Sequence, residues 1–187
     1  MITQDKNQGK TPALKTGFKA SCVEIVVIQD ADLEYDPADI PNLIDPIIVD
    51  KADVVYGSRF LVRKTARILY FRHYLANRFL TFFSNIFTDL NFSDVETGYK
   101  AFRGEIIRKT IINSRGFGFE IEVTAKIAKL KCRIFEVPIS YYGYEEGKKI
   151  KLSDGLLALY YILRFNLFCS KQKSFVESSI WKNIATE

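Results

Sequence analysis

The sequence predicts an α/β domain built on a largely parallel sheet, and three observations carry that reading. Apolar β-branched runs alternate with amphipathic helical segments along the chain. The 187 residues are 48% apolar, with fifteen Phe and ten Tyr, enough to bury a sizeable core. Only five prolines and ten glycines are present, which excludes low-complexity and collagen-like classes.

Taken in order, residues 11–21 read as a short helix, and Val23-Glu24-Ile25-Val26-Val27-Ile28 as a strand. Residues 37–49 open on Pro37 and space Ile40, Leu43, Ile44 and Ile47 helically, crossing to a strand at 53–57 and so completing a βαβ unit. Leu75, Phe79, Phe82 and Ile86 recur at steps of three and four, marking a long or broken amphipathic helix within 67–90. A short strand at 99–102 precedes a helix at 105–112. A further helix at 119–131 carries Phe119, Val123, Ile127 and Leu130 on one stripe, and 133–140 alternates as a strand with Pro138 near its end. One domain over 1–168 is expected, followed by a polar, peripheral tail at 169–187, with no internal repeat or linker.

The 27 basic residues exceed the 22 acidic ones by five. That surplus suits solubility as well as anionic ligands, and the basic residues are interspersed with acids, so nucleic acid is not an expected partner. Cys22, Cys132 and Cys169 are widely separated, arguing for reduced thiols rather than a disulfide or zinc framework. His73 is the only histidine, so metal chemistry here requires oxygen ligands. The first twenty residues are polar and lysine-rich, unlike a signal peptide. The apolar run 156–163, bounded by Asp154 and Arg164, falls short of the roughly 18 residues a spanning helix needs.

The most informative stretch is the strand ending in Gln29-Asp30-Ala31-Asp32-Leu33-Glu34. Ligands gather at the carboxyl ends of strands in α/β sheets. Two carboxylates two residues apart at such an end can share a hard divalent ion, which in turn holds a diphosphate leaving group. An acidic turn capping the next helix is the plain alternative.

The segment 29–37 closely resembles the corresponding part of dolichyl-phosphate mannosyltransferases and related polyprenyl-phosphate sugar transferases of the inverting family-2 type. Asn7-Gln8-Gly9-Lys10 with Ala13-Leu14 and Gly17-Phe18 resembles that family's Asn-x-Gly-Lys-Gly segment. Ala52 to Phe60 resembles its next strand and basic turn, and Asp94-Val95-Glu96-Thr97-Gly98-Tyr99-Lys100-Ala101-Phe102-Arg103 its acceptor-side motif. Gly118-Phe119-Glu120-Ile121-Glu122 and Glu136-Val137-Pro138-Ile139-Ser140-Tyr141 follow in the same order. The resemblance covers residues 5–165.

The resemblance implies a GT-A, Rossmann-like three-layer sandwich that moves a hexose, mannose or glucose, from a GDP- or UDP-sugar donor to a polyprenyl phosphate acceptor. It implies that Asp32, with Asp30 and Glu34, holds Mg²⁺ or Mn²⁺ against the donor diphosphate. Lys10, Asp30, Lys148 and Lys149 are the donor-binding candidates, the last two on a loop that closes on phosphates or is plain surface. Arg59, Arg72 and Lys100 are the acceptor-phosphate candidates. Asp94 is a catalytic candidate beside Asp32, orienting the acceptor or Lys100. An ionised phosphate nucleophile needs no strong general base, so positioning and electrostatics carry the expected catalysis.

The expected location is cytoplasmic, peripheral on the cytoplasmic membrane face. Leu156, Leu159, Tyr160, Leu163 and Leu167, beside Arg164 and Lys148 to Lys151, suit an interfacial helix or one packed on the sheet. The family's opening strand, Asn-Glu-like turn, helix and second strand have no counterpart before Asn7. A truncated front is the expectation, against a short inactive chain acting as a binding module or one completed by a partner; homo-oligomer formation stays open. Thr11 replaces the family's second glycine, and residues 141–147 lack its Arg-Thr pair.

Overall fold

The computed structural model describes residues 2–4, 6–30, 32–61, 67–68, 70–114, 116–143 and 152–176. The described elements are α1 (Lys10–Ala20), β1 (Ile25–Ile28), α2 (Ile40–Ile48), β2 (Val54–Ser58), α3 (Phe71–Thr88), β3 (Lys100–Arg103), α4 (Gly104–Lys109), α5 (Phe119–Leu130), β4 (Ile134–Pro138), α6 (Leu152–Leu167) and α7 (Lys171–Ser174). A 3-10 turn at Pro37–Asp39 leads into α2, capped by the Asp36 carboxylate accepting from the Ala38 N–H at 2.9 Å.

The strands form one sheet in the order β1-β3-β2-β4. Ile28 pairs with Lys100 and Tyr56 with Lys100, both antiparallel, whereas Ser58 pairs with Pro138 in parallel. Three of the four strands thus share a direction, but β3 is inserted between β1 and β2 and reverses. Only the β2–β4 pairing is parallel, which corrects the largely parallel pairing expected. Hydrophobic periodicity marks strands but carries no information on their direction. Here the chain re-enters the sheet at the same end where β2 leaves it, with the Gly57 N–H donating to the Tyr99 carbonyl at 2.9 Å.

Period-2 alternation on the strands then builds two apolar layers. Val55 and Ala101 face α2, packing on Leu43 and Ile47. Val54, Tyr56 and Phe102 face the opposite side, where α5 lies with α3 and α6 around it. This is the three-layer sandwich. Helix α5 is buried on every side, its Phe119, Val123, Ile127 and Leu130 stripe included. Its Glu122–Lys126 ion pair has no solvent exposure. Glu122 also accepts from the Asn113 and Ser114 N–H groups, which satisfies a carboxylate that burial alone would penalise heavily.

Two further expectations are corrected. The stripe of Leu75, Phe79, Phe82 and Ile86 that marks α3 in the sequence points to solvent. Leu80, Phe83 and Phe87 pack inward instead, because α3 is aromatic on both faces and periodicity does not say which one the sheet takes. Nor are all of residues 169–187 a peripheral tail: Ser174 and Phe175 are buried, and Phe175 bridges to Thr110. The Ile111 and Val176 N–H groups donate to the Ser174 and Lys109 carbonyls, a backbone pairing that composition does not reveal.

Candidate active site

Asp30, Asp32, Arg59 and Asp94 lie at the end of the sheet where β1 and β2 terminate, with Lys10 against Asp30. On one side Asp30 follows β1, and its Oδ1 lies 2.6 Å from the Lys10 ammonium at the start of α1. The same ammonium lies 2.7 Å from Glu120 Oε1 at the start of α5. Burial lowers the Lys10 pKa, but Glu120 and Asp30 outweigh it and the net shift is upward. Thr11, buried next to it, donates from Oγ1 to the Gly116 carbonyl at 3.0 Å, so a hydroxyl fits where the family pattern has glycine. Gly98 is required against Asp30, since a Cβ there would stand 2.4 Å from Asp30 Oδ2 and 3.0 Å from the Tyr35 ring.

Asp32 has a buried Oδ1 without a hydrogen-bond partner. The loop around it is pinned elsewhere. Tyr141 Oη donates to Glu34 Oε2 at 3.0 Å, the Tyr142 N–H to the Glu34 carbonyl at 2.9 Å, and the Gly98 N–H to Tyr35 Oη at 2.8 Å. A buried carboxylate oxygen without a partner is of the donor type a hard divalent cation takes. Among the described residues no three acidic, histidine or cysteine side chains are arranged to hold a metal ion. Asp30 is engaged by Lys10 and Glu34 by Tyr141, so Asp32 Oδ1 is the uncommitted carboxylate oxygen of this acidic loop.

On the other side Arg59 follows β2. Its Nε and Nη2 donate to Asp94 Oδ2 and Oδ1 at 2.7 and 2.8 Å, and its N–H donates to Oδ2 at 3.1 Å. Asp94 is fully buried, and its loop is fixed in turn by Glu136, which accepts from the Ser93 and Asp94 N–H groups. Burial would lower the Arg59 pKa, but Asp94 raises it well above the usual value. The guanidinium lies 5.3 Å from the Tyr141 ring centre and 5.6 Å from that of Phe60. Arg59 also borders a cavity of about 340 Å³ lined by Phe60, Arg67, Ile68, Phe71 and Tyr74. Asp94 therefore orients Arg59, not Lys100.

Lys100 is not placed to meet an acceptor phosphate. Its side chain is buried over the Tyr56 ring, and Nζ donates to the Val95 and Thr97 carbonyls, holding the loop before β3. Burial pushes its pKa down to about 8. Beside it Glu96 is pushed up to about 7, by burial first and then by Glu120. Arg72 is exposed on the first turn of α3, next to the cavity-lining Phe71. Lys148 and Lys149 lie outside the described residues. Sequence reasoning missed Arg67, whose Nη1 donates to the Tyr142 carbonyl and, at 2.8 Å, to that of Gly143, and Glu120, whose Oε2 is a second buried orphan. A lone arginine between a strand and a helix carries no local pattern. Glu120 lies inside the Gly118-Phe119-Glu120-Ile121-Glu122 motif, which would have pointed to it.

The sequence matches the model of glycosyl transferase family 2 over residues 1–111. It is 31% identical over 137 residues to the undecaprenyl-phosphate mannosyltransferase of Micrococcus luteus, a match covering 72% of this chain and 55% of that protein. It is 27% identical over 126 residues to the polyprenol monophosphomannose synthase of Mycolicibacterium smegmatis, covering 66% of this chain and 47% of that protein. The chain spans about half the length of these curated relatives. Its fold matches a glucosyl-3-phosphoglycerate synthase from Mycobacterium tuberculosis, crystallised with Mn²⁺, uridine diphosphate and phosphoglyceric acid, with a TM-score of 0.65 and 17% identity. That match covers 91% of this chain and 56% of the solved one and shows the GT-A fold.

Proposed function

The chain belongs to glycosyl transferase family 2, and from that premise we propose that it transfers a hexose, mannose or glucose, from a GDP- or UDP-sugar to a polyprenyl phosphate with inversion at the anomeric carbon. The observation that carries this reading is the pairing, at one end of the sheet, of the orphaned Asp32 carboxylate with an Arg59 guanidinium that borders a partly apolar cavity. Carboxylate and guanidinium suit, respectively, a cation-bound diphosphate and a free phosphate monoester.

Asp32 would hold Mg²⁺ or Mn²⁺, which when bound supplies charge stabilisation to the leaving diphosphate. Lys10, held on Asp30, would meet the donor phosphates. Arg59, locked by Asp94 through Nε and Nη2, presents Nη1 as the nitrogen not committed to that carboxylate. Arg67 and Arg72 add positive charge at the cavity and the first turn of α3. The attacking phosphate oxygen is already ionised, so these residues act by holding two anions in line rather than by removing a proton.

The acceptor's apolar chain has a matching surface. Phe71, Leu75, Phe79, Phe82 and Ile86 form an exposed stripe on α3 running from the cavity, and α6, packed beside α3, exposes Leu156, Tyr160, Leu163 and Leu167. Among the described residues no helix is long and apolar enough to cross a membrane. These faces support peripheral attachment at the cytoplasmic membrane face, with α3 and α6 lying in the lipid interface.

A second reading, a binding module or a donor site completed by another chain, is favoured by one observation: β1, which leads to Asp30, has no strand beyond it among the described residues. Calorimetric titration of the chain with GDP-mannose and UDP-glucose in Mn²⁺, beside the Asp32→Asn variant, separates the two. Metal-dependent binding lost in the variant supports a donor site within this chain. A folded chain that binds neither donor favours the second reading.

A further inference from the structure

Lys10 occupies an unusual place for a surface-helix lysine. Its ammonium lies between Asp30 Oδ1 at 2.6 Å and Glu120 Oε1 at 2.7 Å, with 28% of the side chain exposed. Its backbone is fixed at the first residue of α1, behind Gly9 with φ of 90°, and the helix is tied down by the neighbouring Thr11 to Gly116 hydrogen bond. The stem is long and the head can move, whereas the anchor cannot. Asp30, which Lys10 neutralises, is one of the two carboxylates that end β1, while Asp32 keeps a buried oxygen without a partner.

We propose that Lys10 is an internal counter-cation of this strand end: its ammonium holds Asp30 and keeps a free divalent ion out until a nucleoside diphosphate draws it away. The metal then enters only as a nucleotide complex. The inference rests on the reading that this strand end receives a metal and a diphosphate. A positive charge held on Asp30, two positions along the chain from Asp32, opposes a second cation at this strand end, and removing it leaves Asp30 and Glu120 uncompensated together. Phosphate oxygens offer the ammonium charge-assisted hydrogen bonds of the same kind it makes to carboxylates, so exchange is favourable once the donor arrives. Glu120, buried and retaining an unpartnered Oε2, is the fixed pivot on which the lysine rests.

The test is Mn²⁺ binding to the full chain without nucleotide, read as free Mn²⁺ by electron paramagnetic resonance. The neutral variants Lys10→Met and Lys10→Gln should bind Mn²⁺ about tenfold more tightly than wild type, while Lys10→Arg stays near wild type. Combining Lys10→Met with Asp32→Asn should remove the gain. Neutral variants that bind no more tightly than wild type, or a gain that survives Asp32→Asn, would overturn the proposal. A second arm uses wild type alone, following the Lys10 ammonium by ¹H–¹⁵N spectroscopy. Mg²⁺ alone should leave that signal in place, and GDP or UDP with Mg²⁺ should move it. A shift with Mg²⁺ alone, or none with a nucleotide that calorimetry shows to be bound, contradicts the proposal. The transferase reading fails separately, by absence of donor binding, whatever Mn²⁺ does in the Lys10 variants.

Discussion

Asp94 grips Arg59 through both carboxylate oxygens, at 2.7 and 2.8 Å, and is itself wholly buried beneath the guanidinium it orients. A bidentate pair of this kind fixes the plane of the arginine, so the cavity receives one defined donor edge.

Breaking that pair should be costly. Asp94→Ala leaves a nearly buried guanidinium without its counter-ion and is expected to lower stability by about 3–5 kcal/mol in denaturant unfolding. Arg59→Met leaves the fully buried Asp94 carboxylate without its counter-ion and should cost a similar amount, whereas replacing both residues by apolar ones should cost less than the sum of the two single changes. Single losses that simply add in the double variant contradict the arrangement.

Gly98→Ala tests the donor side. The added methyl would collide with the Asp30 carboxylate and the Tyr35 ring, so a loss of about 1–3 kcal/mol is expected, together with weakened Mn²⁺-dependent donor binding. Unchanged donor binding by calorimetry would show that Asp30 does not need its present position.

Stability should depend on pH from both sides of neutrality. Glu96 has its pKa raised to about 7, so its contribution is fully present below the unfolded carboxylate value and is lost as pH rises through 7. Lys100 is lowered to about 8, so its contribution is present above the unfolded lysine value and is lost as pH falls through 8. Wild type should therefore lose stability between pH 5 and 7 and regain some above pH 8, and Glu96→Gln should flatten the acid limb. Equal slopes in the two proteins would rule out this role for Glu96.

The exposed face of α3 predicts lipid attachment. Wild type should sediment with anionic vesicles at low salt, and Phe79→Ser with Phe82→Ser should release most of it at only a small cost in melting temperature, because both rings are about half exposed and rest on Phe83. A wild-type chain that stays in the supernatant contradicts the assignment.

Much of this molecule was legible in the sequence. The strands read at 23–28, 53–57 and 133–140 overlap β1, β2 and β4, and the helical spacing of Phe119, Val123, Ile127 and Leu130 marks α5 directly. The direction of β3 and the outward turn of Leu75, Phe79, Phe82 and Ile86 were not legible, since both depend on what packs across the sheet and not on local spacing. Asp30 and Asp32 stand out in the sequence because they end a strand, and Arg59 and Asp94 because they lie in recognisable motifs. The Lys10 link to Glu120 spans 110 positions along the chain, the burial of Lys100 follows from its place on the innermost strand, and Arg67 reaches the site through a bond to Tyr142. Such long-range pairings leave no trace in a single sequence.

The central claim is tested most directly by incubating the chain with labelled GDP-mannose or UDP-glucose, Mn²⁺ and vesicles carrying a polyprenyl phosphate, then measuring label in the lipid phase. The expected result is transfer that requires both the metal and the lipid phosphate and falls at least about a hundredfold in Asp32→Asn. Transfer that is undiminished in Asp32→Asn, or no transfer by a folded chain that binds the donor, would contradict it.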